Sequence, residues 1–169
     1  MRLIKLYLTF FCSLSIYSQH KDYIKTSQRL LNNIKNGKEV NEEIKILKNS
    51  RLEDLTTQLQ TDDQKLVFWI NVYNAFIQLS LQEHPEQYSE ENRSDFFKKD
   101  RINLAGVKIS FDDIEHGIIR SSMSKISMGY VKKIFRPEWE RKLRVKKIDW
   151  RIHFALNCGA KSCPPVAIY

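Results

Sequence analysis

The chain has 169 residues, the size of a single domain. Hydrophobic residues make up 42% of it, enough for one core, and 5 glycines and 4 prolines are too few for a low-complexity disordered chain. The 28 Lys and Arg against 20 Asp and Glu give a formal net charge of +8. The densest basic run, "RKLRVKK" at residues 141–147, carries no aromatic residues interleaved for base stacking. It reads as a solvated face, and no nucleic-acid partner is expected.

The first residues predict an export signal. Arg2 and Lys5 form a short basic start, residues 6–16 are apolar and uncharged, and small Ser18 precedes Gln19. The run is too short to span a bilayer, so a signal peptide over residues 1–18 is expected, with the mature protein periplasmic or secreted. A lipid anchor at Cys12 and a buried N-terminal helix are the other readings. Phe11 stands where an anchor site needs a small residue. Removing Arg2 and Lys5 leaves 26 basic residues against 20 acidic ones, a net of +6. It leaves no apolar run long enough for stable membrane insertion. It also leaves two cysteines, Cys158 and Cys163, an even number in an oxidising compartment.

Residues 19–60 form an N-terminal helical segment. Within it, Ile24, Leu30, Leu31 and Ile34, then Ile44, Leu47 and Leu55, recur at helical spacing, which predicts two amphipathic helices broken at Asn36-Gly37-Lys38. The main domain is expected over residues 61–169. Thr61 and Gln64 match a capping box, and "KLVFWINVYNAFIQLSLQ" after them is apolar on nearly every side, as a central helix is. Asn71 and Asn74 interrupt it on a shared face. Buried amides need partners, so the two either bridge neighbouring backbone or line a polar pocket. Residues 84–95 read as a surface loop with no chemistry assigned.

Alternation at Ile102 and Leu104, the turn Ala105-Gly106, and alternation at Val107, Ile109 and Phe111 predict a hairpin. Ser110 with Asp113 marks a helix start. On that helix Phe111, Ile114, Ile118 and Ser122 share a face with Glu115. A carboxylate aimed at the core is costly unless paired. Glu115 therefore pairs with an arginine, Arg120 or Arg151, or serves as an acid or orienting group in a cleft. His116 sits at the edge of the stripe, near Arg120. Residues 130–147 predict a basic amphipathic helix and then a turn, anchored by Trp139 and Leu143. "WRIHFALN" at residues 150–157 reads as an interior strand, with His153, Ala155 and Asn157 on one face.

Cys158 follows directly, and Gly159 marks a tight turn. Three readings of this end are open. Cys158 and Cys163 can form a disulfide. They can join His116 and His153 around a metal, although the cysteine spacing is wider than usual. Or Cys158 is a nucleophile at a strand end, with an imidazole as its base.

The blocks "FWINVYNAF" (residues 68–76), "ISFDDIEHGIIR" (109–120) and "RIHFALNCGAKSCPP" (151–165) resemble, in order, the three signature blocks of domain of unknown function 547. That family occurs in exported bacterial proteins and in plant proteins beside coiled coils. The resemblance implies a compact α+β domain in which Asn71, Tyr73, Asn74, Glu115, His116, Arg120, His153, Asn157, Cys158 and Cys163 gather in one place. It also implies a distant likeness to papain-like and transglutaminase-like folds, which pair Cys with His for acyl transfer. Those enzymes place the thiol at the start of a central helix, whereas the central helix here has no Cys. The thiol must then come from across the cleft, or the likeness is structural only. The family continues past "CPP" with a further strand and helix, so a chain ending at "VAIY" is expected to be a fragment.

The expected architecture is thus α+β, with N-terminal helices, a central buried helix and a small antiparallel sheet. The expected function is thiol hydrolysis or acyl transfer on small amides or peptides. Cys158 would attack, His116 or His153 would take its proton, and Glu115 or an Asn would orient the ring. Backbone N–H groups around Gly159 would hold the oxyanion. Asn71, Tyr73, Asn74, Arg120, Asn157 and Cys163 would contact substrate, and neither metal nor cofactor is expected. The alternative is a non-catalytic binding or scaffold domain cross-linked by Cys158 and Cys163.

Overall fold

The computed structural model describes residues 21–124, 131–160 and 162–169; the expected signal peptide lies outside them. Helix α1 (Tyr23–Lys35) starts at Asp22, whose side chain accepts from the Lys25 N–H. Helices α2 (Asn41–Lys48) and α3 (Leu52–Gln58) follow, so the segment holds three helices rather than two. The additional break has a local cause. The Ser50 hydroxyl donates to the Leu47 carbonyl at 2.6 Å, competing with the helix for its own backbone.

Helix α4 (Asp62–Glu83) is the predicted central helix, and its capping box is formed. The Thr61 hydroxyl accepts from the Gln64 N–H, and the Gln64 side chain accepts from the Thr61 N–H. Phe68, Trp69, Val72, Tyr73 and Ile77 are fully buried along it. Each such side chain contributes about 1.5–3 kcal/mol of transfer free energy, which explains why everything else packs on this helix. Helix α1 lies along it.

Helix α5 (Arg93–Lys98) begins inside the stretch expected to be loop. The hairpin forms as predicted. Strands β1 (Ile102–Leu104) and β2 (Val107–Ile109) pair antiparallel with Ile102 opposite Ile109. Ala105 and Gly106 both take positive φ, as a two-residue turn matching strand twist requires. The Ser110 hydroxyl then accepts from the Asp113 N–H, the predicted helix start.

The helix that follows is not an α-helix. Over Asp113–Ile119 it is wound as a π-helix, and the Arg120 N–H reaches the Glu115 carbonyl at 2.9 Å. Residues five apart therefore stack, which brings Arg120 over Glu115 rather than His116. Helix α6 (Glu138–Leu143) is shorter than predicted because Pro137 cannot sit inside it. Leu143 is buried as expected, and Trp139 partly so.

The strand expected at residues 150–157 is absent. Trp150–Phe154 forms a 3₁₀ turn, started by the Asp149 side chain accepting from the Arg151 N–H. Burial follows a period of three, with Ile152 and Ala155 inside and His153 and Phe154 outside. The apolar run suited a strand, but no strand lies beside it among the described residues; the Asn74 side chain takes its backbone groups instead. The fold remains α+β, with one two-stranded sheet among the described residues.

Candidate functional site

Asn71 and Asn74 are fully buried and act on different segments. Asn71 donates to the Tyr169 carbonyl at 2.9 Å and accepts from its N–H at 3.0 Å. Asn74 donates to the Ala155 carbonyl and accepts from the Asn157 N–H, both at 2.9 Å. Of the two readings open from sequence, backbone bridging is the one observed. Asn157 extends the clamp: its amide donates to the Pro164 carbonyl at 2.8 Å and accepts from the Gly159 N–H at 2.9 Å. The helix thus folds the cysteine loop through two asparagines in series.

Gly159 sits at φ +82°, and a Cβ there would lie 2.7 Å from a Leu81 methyl. The turn brings the Cys158 N–H to the Cys163 Sγ at 3.1 Å. Because the Cys158 and Gly159 N–H groups are already engaged, they do not form the oxyanion pocket expected from sequence. Both thiols are free.

The π-helical segment faces this loop. Glu115 accepts from Arg120 Nη2 at 3.0 Å and from Arg120 Nε at 3.2 Å. The Tyr73 hydroxyl donates to its other oxygen at 3.4 Å. Glu115 is therefore both paired with an arginine and placed in a cleft, where sequence posed these as alternatives. His116 Nε2 lies 4.0 Å from Asp112 Oδ1. The third wall is α5, from which Arg93 donates to the Cys158 sulfur at 3.5 Å. These walls enclose a cleft of about 480 Å³ lined by Arg93, Ser94, Phe97, Asp112, Glu115, His116 and Cys158.

Electrostatics divide the two thiols. Burial pushes the Cys158 thiol up, and its hydrogen bond to Cys163 adds to that. Burial also opposes ionisation of Cys163. Hydrogen bonds from the Cys158 thiol and N–H and from the Ala160 N–H, with the Arg93 charge, outweigh it and hold Cys163 below the ordinary thiol range. Tyr73 is driven well above the usual phenol range, first by burial and then by the Glu115 charge.

Of the residues singled out from sequence, Cys158, His116 and Glu115 meet in the cleft. Tyr73 and Arg120 stand behind Glu115. His153 is exposed, 3.5 Å from Arg120 through Nδ1, and is not among the cleft walls. Asn71, Asn74 and Asn157 bind backbone, and Cys163 backs Cys158. Sequence reading missed Arg93. One arginine in a charged stretch carries no local mark of its role, and only the position of α5 against the cysteine loop reveals it. Among the described residues, no three metal-ligating side chains gather.

Cys158 and Glu115 stand at one cleft between α5, the π-helical segment and the cysteine loop of an α+β domain. The chain belongs to the family described as protein of unknown function, DUF547, which matches residues 56–169. No curated protein and no solved structure matches it.

Proposed function

We propose that this is an exported thiol hydrolase or acyltransferase acting on small amides or peptides. One observation carries the reading. Residues 42 positions apart, His116 and Cys158, line one water-accessible cleft, with Glu115 between the buried aromatics and the opening. Because burial opposes ionisation of Cys158, the thiol needs a base during attack. His116 takes the proton as the sulfur adds to the carbonyl carbon, and Asp112 holds the imidazolium. The same proton then passes to the leaving amine. Water attacks the thioester for hydrolysis, or a second amine does so for transfer. Arg93, already 3.5 Å from the sulfur, receives the developing oxyanion in place of backbone N–H groups. Arg120 and Tyr73 fix Glu115, which sets the charge of the cleft floor.

Turnover of a panel of nitrophenyl esters and anilides tests this. Cys158→Ser is expected to abolish it, and His116→Ala to lower it by about 10²–10⁴-fold. Undiminished turnover in Cys158→Ala would sink the proposal. For export, the mature protein from the periplasm is expected to begin at Gln19. A chain retained in the cytosol with Met1 in place would refute that half.

A further inference from the structure

We propose that Cys158 and Cys163 form a reversible dithiol–disulfide couple that exchanges with disulfides of small molecules or peptides entering the cleft. This activity does not rest on the acyl-transfer reading. Three observations carry it.

First, the turn folds Cys163 back onto Cys158, whose N–H donates to the Cys163 Sγ at 3.1 Å. Second, the described residues flanking the two cysteines are held in place. Gly159 holds a positive φ, Asn157 grips the loop at Gly159 and Pro164, and Asn74 grips Asn157. Holding both ends of the ring favours the intramolecular step over release of a mixed disulfide. Third, the two sulfurs are placed differently. Cys158 lines the cleft beside Arg93, whereas Cys163 is not among its walls. One sulfur meets an incoming molecule, and the other resolves the product. The Arg93 guanidinium, 3.5 Å from the Cys158 sulfur, favours its thiolate during the attack.

The sequence balances. The Cys158 sulfur attacks one sulfur of the incoming disulfide, whose S–S bond breaks and releases one thiolate. The Cys163 sulfur then attacks Cys158, and the mixed disulfide breaks to release the second. The cysteine pair loses two electrons and the substrate disulfide gains them. The two cysteine protons end on the two product thiols.

Incubation of the reduced protein with glutathione disulfide, read by intact mass, tests the couple. The native chain is expected to lose two hydrogens without keeping an adduct, and dithiothreitol to restore them. Cys163→Ser is expected to keep one glutathione on Cys158, at a rate about tenfold above that of Cys158→Ser, because Cys158 lines the cleft that the incoming disulfide enters and Cys163 does not. A native chain that stays reduced, or one that holds a stable glutathione adduct, would overturn the proposal. So would faster capture at Cys163. The native measurement stands even if a variant fails to fold. Ester and amide turnover is not read, so the acyl-transfer reading and this one can fail separately.

Discussion

The molecule has a larger cavity than the cleft, and the two differ in kind. The larger one, about 680 Å³, is lined by Leu66, Val67, Ile70, Trp150, Ile152, Phe154, Ala155 and Tyr169, with Asp63, Asp149 and Arg151 also along its walls. Asp149 and Arg151 bind each other. The Arg151 hydrogen bonds hold the Asp149 carboxyl down at about 2, so both groups are already satisfied. Among the described residues lining this cavity there is no thiol and no imidazole. The smaller cleft holds a thiol, an imidazole, two carboxylates and a guanidinium. Volume measures room, whereas reactivity needs groups of opposite habit converging on one point. The larger space is a packing boundary, and the smaller one is where chemistry concentrates.

Asn74 touches both regions, since Ala155 walls the larger cavity and Asn157 folds the cysteine loop. Asn74→Ala therefore makes the sharpest comparison. It strands the Ala155 carbonyl and the Asn157 N–H, at a cost of about 1–3 kcal/mol. It also loosens the loop, so the rate of Cys158 alkylation by iodoacetamide should change. Asn71→Ala, which releases Tyr169, should cost a similar amount in urea unfolding and leave alkylation unchanged. Equal effects of the two variants on the thiol would show that the regions are not separable.

Gly159→Ala acts on the cleft side alone. A side chain at φ +82° costs about 1–2 kcal/mol. The contact with Leu81 adds less, because a terminal methyl can rotate aside. Urea unfolding should show this loss, and an unchanged midpoint would mean that the loop adopts another turn.

Legibility in the sequence followed the range of the forces. The capping box, the hairpin and the Ser110 start are fixed by residues three or four apart, and all three were readable. Glu115 was readable as well, because a carboxylate within an apolar stripe demands a partner. The run at residues 150–157 was misread since its apolar residues fit either period, and a side chain from α4 decided between them. The π winding, which sets Arg120 over Glu115, leaves no trace in hydrophobic spacing. Arg93 and the inequality of the two thiols depend on contacts across more than 60 residues of chain or on a turn geometry, and no local pattern encodes them.

Tyr73 sharpens the comparison through pH. Its hydroxyl lies behind the cleft floor, where burial and Glu115 keep it protonated. The unfolded phenol ionises near pH 10. Above that pH the unfolded chain releases a proton that the native one retains, so stability falls as pH rises. The slope from this group is about 1.4 kcal/mol per pH unit. Urea unfolding from pH 9 to 11 should show it, and Tyr73→Phe should remove that share. An unaltered slope in the variant would mean that the hydroxyl reaches solvent.

The smallest effect belongs to the larger cavity. Trp150 and Phe154 meet edge to face at 6.0 Å, yet they are 69% and 67% exposed. Little apolar area is withdrawn from water there, so Trp150→Ser should shift stability by no more than about 0.5 kcal/mol and leave thiol alkylation unchanged. A loss well above that in urea unfolding would mean that the aromatic rim is covered in solution. The cavity would then be an interface rather than an open boundary, and the contrast with the cleft would be one of binding against chemistry rather than of space against chemistry.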